Sequence, residues 1–177
     1  MNFNLDYESI ATAFIQHYYS KFDQGDGMAR AQGLGDLYDP ENSYMTFEGV
    51  QCKGRGAILE KFTRRCRRSQ HCVVSGMAVL LHCSREIRSV MFMVATIDGL
   101  RKRCSCVDLT FKQIQRAITK CDSQPLYDGS ILVMVLGQLK TDDDPINPFS
   151  QIFILRPNTT GSFFIGNEIF RLDLHNN

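Results

Sequence analysis

Apolar positions near the start of the chain recur at helical spacing. Ile10, Phe14, Tyr18 and Phe22 fall every four residues, and Ile15 and Tyr19 widen the stripe. That period predicts an amphipathic helix from Leu5 to Phe22 with one face in a core. Asp6 stands where an N-cap acceptor is favoured, and Glu8 sits in the first turn, where the helix dipole favours an acid. Gly25-Asp26-Gly27 ends this helix, and a second runs from Met28 to Tyr38 before Pro40 stops it. Ser43–Phe47 and Val50–Lys53 predict a short hairpin around Glu48-Gly49. Gly54-Arg55-Gly56 then opens a third helix carrying Ile58, Leu59 and Phe62.

In the last third the pattern becomes strand-like. Phe111–Cys121, Ser130–Leu139, Phe149–Arg156 and Ser162–Leu174 are runs separated by Pro125–Gly129, an Asp-rich turn and Pro157–Gly161. Ile131 to Leu136 is continuously apolar, which predicts a central strand covered on both faces. Phe170, Leu172 and Leu174 alternate with Arg171, Asp173 and His175, so the last strand has one dry face. Helices first and consecutive antiparallel strands afterwards specify an α+β fold, with N-terminal helices packed on one side of a curved sheet.

Composition adds a boundary. The chain has 177 residues and a net charge of +1, enough for one domain and with no global pull toward nucleic acid or a membrane surface. Residues 64–108 nevertheless hold nine basic residues against three acids, and five of the seven cysteines. The remainder carries a net charge of −5. The chain therefore reads as a single acidic domain interrupted by a basic, cysteine-rich insert. Four readings of the insert stay open: a phosphate-binding patch, a zinc site using His71, Cys72, His82, Cys83, Cys104 and Cys106, an inserted subdomain, or translated intron. The opening MNFNLDYESI has no basic region followed by an apolar run, so no export signal is expected. The thiols then read as reduced, in the cytosol or nucleus.

The segments AFIQHYYSKFD, TFEGVQCKG, FKQIQRAI, VLGQLKTDDDPINPFSQIFIL and IGNEIFRLDLHN, spread over residues 5–63 and 109–177, closely resemble the nuclear transport factor 2 family. The resemblance implies a cone-shaped fold and a homodimeric, non-catalytic carrier without cofactor or metal. Such a carrier moves the small GTPase Ran, in its GDP form, through the nuclear pore. It implies residence in cytoplasm and nucleus, concentrated at the nuclear envelope. Glu48, Asp142 and Asp144 match the family's acidic contacts to Ran. Phe47 matches an aromatic at the mouth of a hydrophobic cavity, and Leu109, Ile114, Ile169 and Phe170 match other cavity-lining positions. Tyr7 matches an aromatic where Phe-rich nucleoporin repeats dock. Phe47 and Tyr7 stand where the best-known members carry Trp, and this chain has no Trp.

Physical chemistry alone gives these residues plainer roles as well. Asp142-Asp143-Asp144 before Pro145 serves equally as a solvated turn, although adjacent carboxylates repel by about 1 kcal/mol per close pair in water. A basic partner relieves that repulsion. An aromatic next to an acid, as in Phe47-Glu48, supplies both burial and charge register at a protein contact. The same fold hosts two rival uses: an isomerase- or dehydratase-type enzyme, and an mRNA-export scaffold. Catalysis needs a paired acid and base in the cavity. His17, His71, His82 and His175 are badly placed for that, leaving Glu48, Tyr44 and Asp122 as candidate cavity polars.

Overall fold

The apolar stripe folds into helix α1 (Tyr7–Phe22), which buries Ala11, Ile15, Tyr18, Tyr19 and Phe22. The computed structural model describes residues 3–63, 113–142 and 144–173. The basic block 64–108 and Leu109 lie outside the described residues, as do the insert's candidate zinc ligands. Asp6 occupies the N-cap position of α1, but its side chain makes no capping bond. Its φ of −91° and ψ of 16° leave it outside the extended geometry that caps use. The acid that does cap a helix is Asp26, whose carboxylate accepts from Met28 N–H and Ala29 N–H to start α2 (Gly27–Leu34). A 3₁₀ turn, Gly35–Leu37, completes what sequence predicts as one helix. Arg30 is fully buried and returns to α1, donating from Nε to Phe22 O at 2.7 Å and from Nη2 to Gly25 O at 3.1 Å. It thereby satisfies carbonyls at the helix end.

The hairpin forms as β1 (Tyr44–Phe47) and β2 (Val50–Lys53), followed by α3 (Gly54–Thr63). After the block come β3 (Ile114–Pro125), β4 (Ile131–Thr141), β5 (Asn147–Pro157) and β6 (Phe163–Leu172). They make one open, curved sheet in the order β2-β1-β6-β5-β4-β3. Every pairing is antiparallel except β1 with β6, which is parallel. The helices cover one face, where Tyr18, Phe22, Phe62, Val133, Phe149, Phe153, Leu155 and Ile165 form the core.

The other face is apolar too. β4 alternates, with Ile131, Val133 and Val135 buried and Met134 and Leu136 more than a third exposed. The expectation of a strand covered on both faces is thus corrected for the described residues, whose helices all lie on one side. Strand register sets Met134 opposite Ile152, Ile152 opposite Ile169, and Leu132 opposite Ile154. These side chains alternate away from the core and form a continuous outer patch.

Candidate functional site

Strand direction gathers most of the candidate residues at one end of the sheet. β1 runs parallel to β6, so Phe47 lies beside Phe170 with the Glu48-Gly49 turn just beyond. Antiparallel pairing then brings Leu172 opposite Phe149, Asn147 opposite Leu139, and Thr141 opposite Ile114. Glu48, Asp142, Asp144, Ile114, Phe47 and Phe170 therefore share this end. Tyr7 belongs to the other. The C-terminal end of α1 is tied to the start of β3 by Asp23 and Arg116, whereas Glu8 flanks Cys121–Gln124 at the far end of β3. At about 1.5 Å per residue, the 16 residues of α1 separate the two by about 24 Å.

An aromatic row underlies the acidic end. The rings of Phe47 and Phe170 stack at 4.6 Å, and Phe149 stacks on Phe170 at 5.7 Å. Gly137 makes room for Phe149, since a Cβ there would come within 2.7 Å of the ring. Arg116 closes the row, its Cζ 4.8 Å from the Phe149 ring and 4.3 Å from Tyr19. Its guanidinium donates to the Asp23 carboxylate from Nε at 3.1 Å and Nη2 at 3.0 Å, while buried Nη1 has no hydrogen-bond partner among the described residues. Phe47 is only 5% exposed, so it sits under the surface rather than standing open at a mouth. Ile114 packs partly buried against the core. Ile169 alternates to the outer face and is 46% exposed, so the pleat separates it from Phe170. Leu109 falls outside the described residues.

Two of the acids are held in strained backbone. Glu48 has φ 49° and Gly49 φ 81°, both left-handed, as the tight two-residue hairpin requires. Asp142 has φ 47°. Among the described residues, these two candidate acids are the only non-glycine residues with positive φ. A left-handed L-residue costs about 1–2 kcal/mol, less for Asp than for Glu. One Glu48 carboxylate oxygen accepts the Leu172 N–H, and the other lies 3.7 Å from Arg171 Nη1. Asp142 Oδ1 accepts from Gln113 N–H at 2.9 Å, tying the turn to the start of β3. Asp144 Oδ2 accepts the Thr141 hydroxyl at 3.0 Å.

Sequence reasoning missed the most deeply buried carboxylate among the described residues. Glu168, 2% exposed, accepts the hydroxyls of Tyr18 at 2.8 Å and Tyr38 at 2.7 Å and the amide of Gln151 at 2.7 Å. Tyr19 in turn donates to Gln151 Oε1 at 2.8 Å. Burial pushes the Glu168 carboxyl above its ordinary range, against the pull of its three donors. Burial and the neighbouring carboxylate raise Tyr18 and Tyr38 well above the usual phenol value. The signal was available: Glu168 stands in phase with Phe170 and Leu172, and Gln151 with Phe149 and Phe153, so both are polar residues on dry faces.

At the other end, α1 and β3 border a groove of about 680 Å³, lined by Glu8, Ala11, Thr12, Cys121–Gln124, Leu132 and Met134. Tyr7, next to Glu8 in α1, packs partly buried against the core and donates its hydroxyl to Glu8 Oε1 at 3.0 Å.

Comparison with known proteins agrees with this architecture. The family model described as the nuclear transport factor 2 domain matches residues 10–99 and 105–172. A probable nuclear transport factor 2 of Caenorhabditis elegans is 62% identical over 177 residues, covering all of both chains. Nuclear transport factor 2 of Saccharomyces cerevisiae is 32% identical over 173 residues, covering 96% of this chain and 97% of that one. The solved structure of nuclear transport factor 2 from Cryptosporidium parvum superposes with a TM-score of 0.66 at 28% identity, covering 98% of this chain and 99% of that one. The chain belongs to the nuclear transport factor 2 family.

Proposed function

We propose that the chain is a nuclear import carrier that binds Ran in its GDP form at the acidic sheet end and Phe-rich nucleoporin repeats near Tyr7. The observation that carries this reading is the placement of Glu48 and Asp142 in left-handed backbone at the same end. A hairpin needing only a turn has Asn or Asp available at lower strain. A Glu kept there, above a row of aromatic rings, suits recognition of a basic partner. Strain of this kind is retained where function uses it. Asp144 extends the acidic rim, Phe47, Phe170 and Ile114 give it an apolar floor, and Leu109 completes the proposed set. The carrier acts in nucleocytoplasmic transport and resides in cytoplasm and nucleus, concentrated at the pore.

Catalysis fits the geometry poorly. Glu168 has its oxygens occupied by Tyr18, Tyr38 and Gln151, all from the fold itself, which leaves it a core strut rather than an acid facing a substrate. The first test is calorimetric titration of the full chain with Ran loaded with GDP and then GTP. Binding to the GDP form alone is expected. If a folded chain binds neither, the same titration with residues 64–108 deleted decides between an obstructing insert and a wrong reading.

The outer patch supports a homodimer. Ile152 is its centre, flanked across the strands by Met134 and Ile169. A second copy of the same sheet face would cover a contiguous apolar surface that single chains rarely leave open. A dimer also doubles the sites for weak nucleoporin contacts, and so raises avidity. Ile152→Glu is expected to shift the chain from dimer to monomer in sedimentation velocity, with its circular dichroism unchanged. An unaltered dimer would place the interface elsewhere.

A further inference from the structure

The carboxylate at the centre of the acidic end already has a cation beside it. Glu48 Oε2 lies 3.7 Å from Arg171 Nη1, an ion-pair distance too long for a hydrogen bond. The guanidinium lies over the β1–β2 turn: a Cβ on Gly49 would meet Arg171 Nη2 at 3.3 Å and Cζ and Nη1 at 3.8 Å. Hence Gly49 serves twice, by its positive φ and by giving the arginine a flat surface to rest on. The two members of the pair differ sharply in exposure, with the Glu48 side chain 8% exposed and that of Arg171 57%.

The two oxygens of Glu48 are also held differently. Oε1 is fixed by the backbone N–H of Leu172, which is part of β6 and does not move with any side chain. Oε2 faces the long, exposed side chain of Arg171. Arg171 alternates to the outer side of β6, away from the aromatic row, so it can swing off without disturbing Phe170 or the core.

We propose that Arg171 is a displaceable latch over Glu48, which a basic side chain of the partner must replace. This rests on the acidic end being the Ran-binding surface. The latch sets a cation beside Oε2 in the free carrier and so discriminates against weakly basic surfaces. A partner that brings its cation to Oε2 releases Arg171 into solvent, while the Leu172 N–H keeps the carboxylate aimed. Arg171 is thus a specificity-determining residue whose removal tightens binding.

The test is titration of the full chain and of Arg171→Gln with GDP-loaded Ran, at low and at high salt. At 3.7 Å and with Arg171 mostly in solvent, the pair is on the scale of a surface ion pair, a factor of about two to five, so R171Q is expected to bind about two- to fivefold more tightly. The gain should shrink at high salt. It should vanish when R171Q is made in a Glu48→Gln chain, since the latch then has nothing to cover; a general change in surface charge would persist there. Equal or weaker binding by R171Q, from a wild-type chain that does bind, overturns the latch. Absence of binding by both chains removes the carrier reading itself, and the latch with it.

Discussion

Glu168→Ala is expected to cost about 3–5 kcal/mol of folding stability, a large share of the about 5–15 kcal/mol that holds an ordinary domain together. The substitution strips an acceptor from Tyr18, Tyr38 and Gln151 at once, in a site none of them can leave. Each buried donor left without a partner loses about 1–3 kcal/mol, and the cavity adds to that. Glu168→Gln keeps one acceptor oxygen and the volume, and tyrosine hydroxyls can turn to accept from its amide, so a much smaller loss is expected. Urea unfolding followed by circular dichroism separates the two. An alanine variant within 1 kcal/mol of wild type would mean that water or repacking satisfies the tyrosines.

The same residue gives stability a pH dependence whose sign follows from its shift. The Glu168 carboxyl is raised above the ordinary 4.5 in the fold, because burial outweighs its hydrogen bonds. A raised carboxyl binds its proton more tightly when folded than when unfolded. Its contribution is therefore fully present below the unfolded value and is lost as pH rises through the folded one. Above about pH 4.5, wild-type stability should decline relative to Glu168→Gln, by at most about 1.4 kcal/mol per pH unit for one proton. Parallel stability curves for the two chains would show that Glu168 titrates normally.

The two ends of legibility are visible within single strands. α1 could be read from its stripe because a helix facing one core repeats its apolar residues locally, and Tyr7–Phe22 differs from the expected Leu5–Phe22 only at its start. β4 could be read as a strand but not as a two-faced one. Its apolar run is the same whether the outer face meets a helix or another molecule, and only the one-sided placement of the helices decides. The acidic end was legible as a set of residues, yet their gathering depends on the parallel β1–β6 pairing, which no local signal specifies. Glu168 and its tyrosines lie 130 to 150 positions apart in the chain. Local periodicity marks each as inward-facing, but cannot say that they meet. Ile169 shows the converse: likeness of sequence grouped it with Phe170, and the alternation of the strand itself assigns it to the other face.

Loss of Ran binding is the largest effect expected at the proposed site, and charge can be removed there without disturbing the turns. Asp144→Asn keeps an oxygen for the Thr141 hydroxyl, and Glu48→Gln keeps one for the Leu172 N–H. Both changes therefore test charge rather than structure. Close charge pairs across protein interfaces couple by about 1.5–7 kcal/mol, so each variant should bind GDP-loaded Ran at least about tenfold more weakly. Glu48→Lys goes further, because it sets an ammonium beside Arg171 and against the incoming cation, and should abolish measurable binding. Its structural cost falls on the Leu172 N–H, which loses its acceptor, and on the Arg171 pair, both at the sheet end rather than in the main core. The chain should therefore remain folded by circular dichroism. The neutral variants decide the matter: unchanged affinity in both Glu48→Gln and Asp144→Asn would take these two acids out of the site, and would leave the left-handed backbone of Glu48 and Asp142 to be explained by the turns alone.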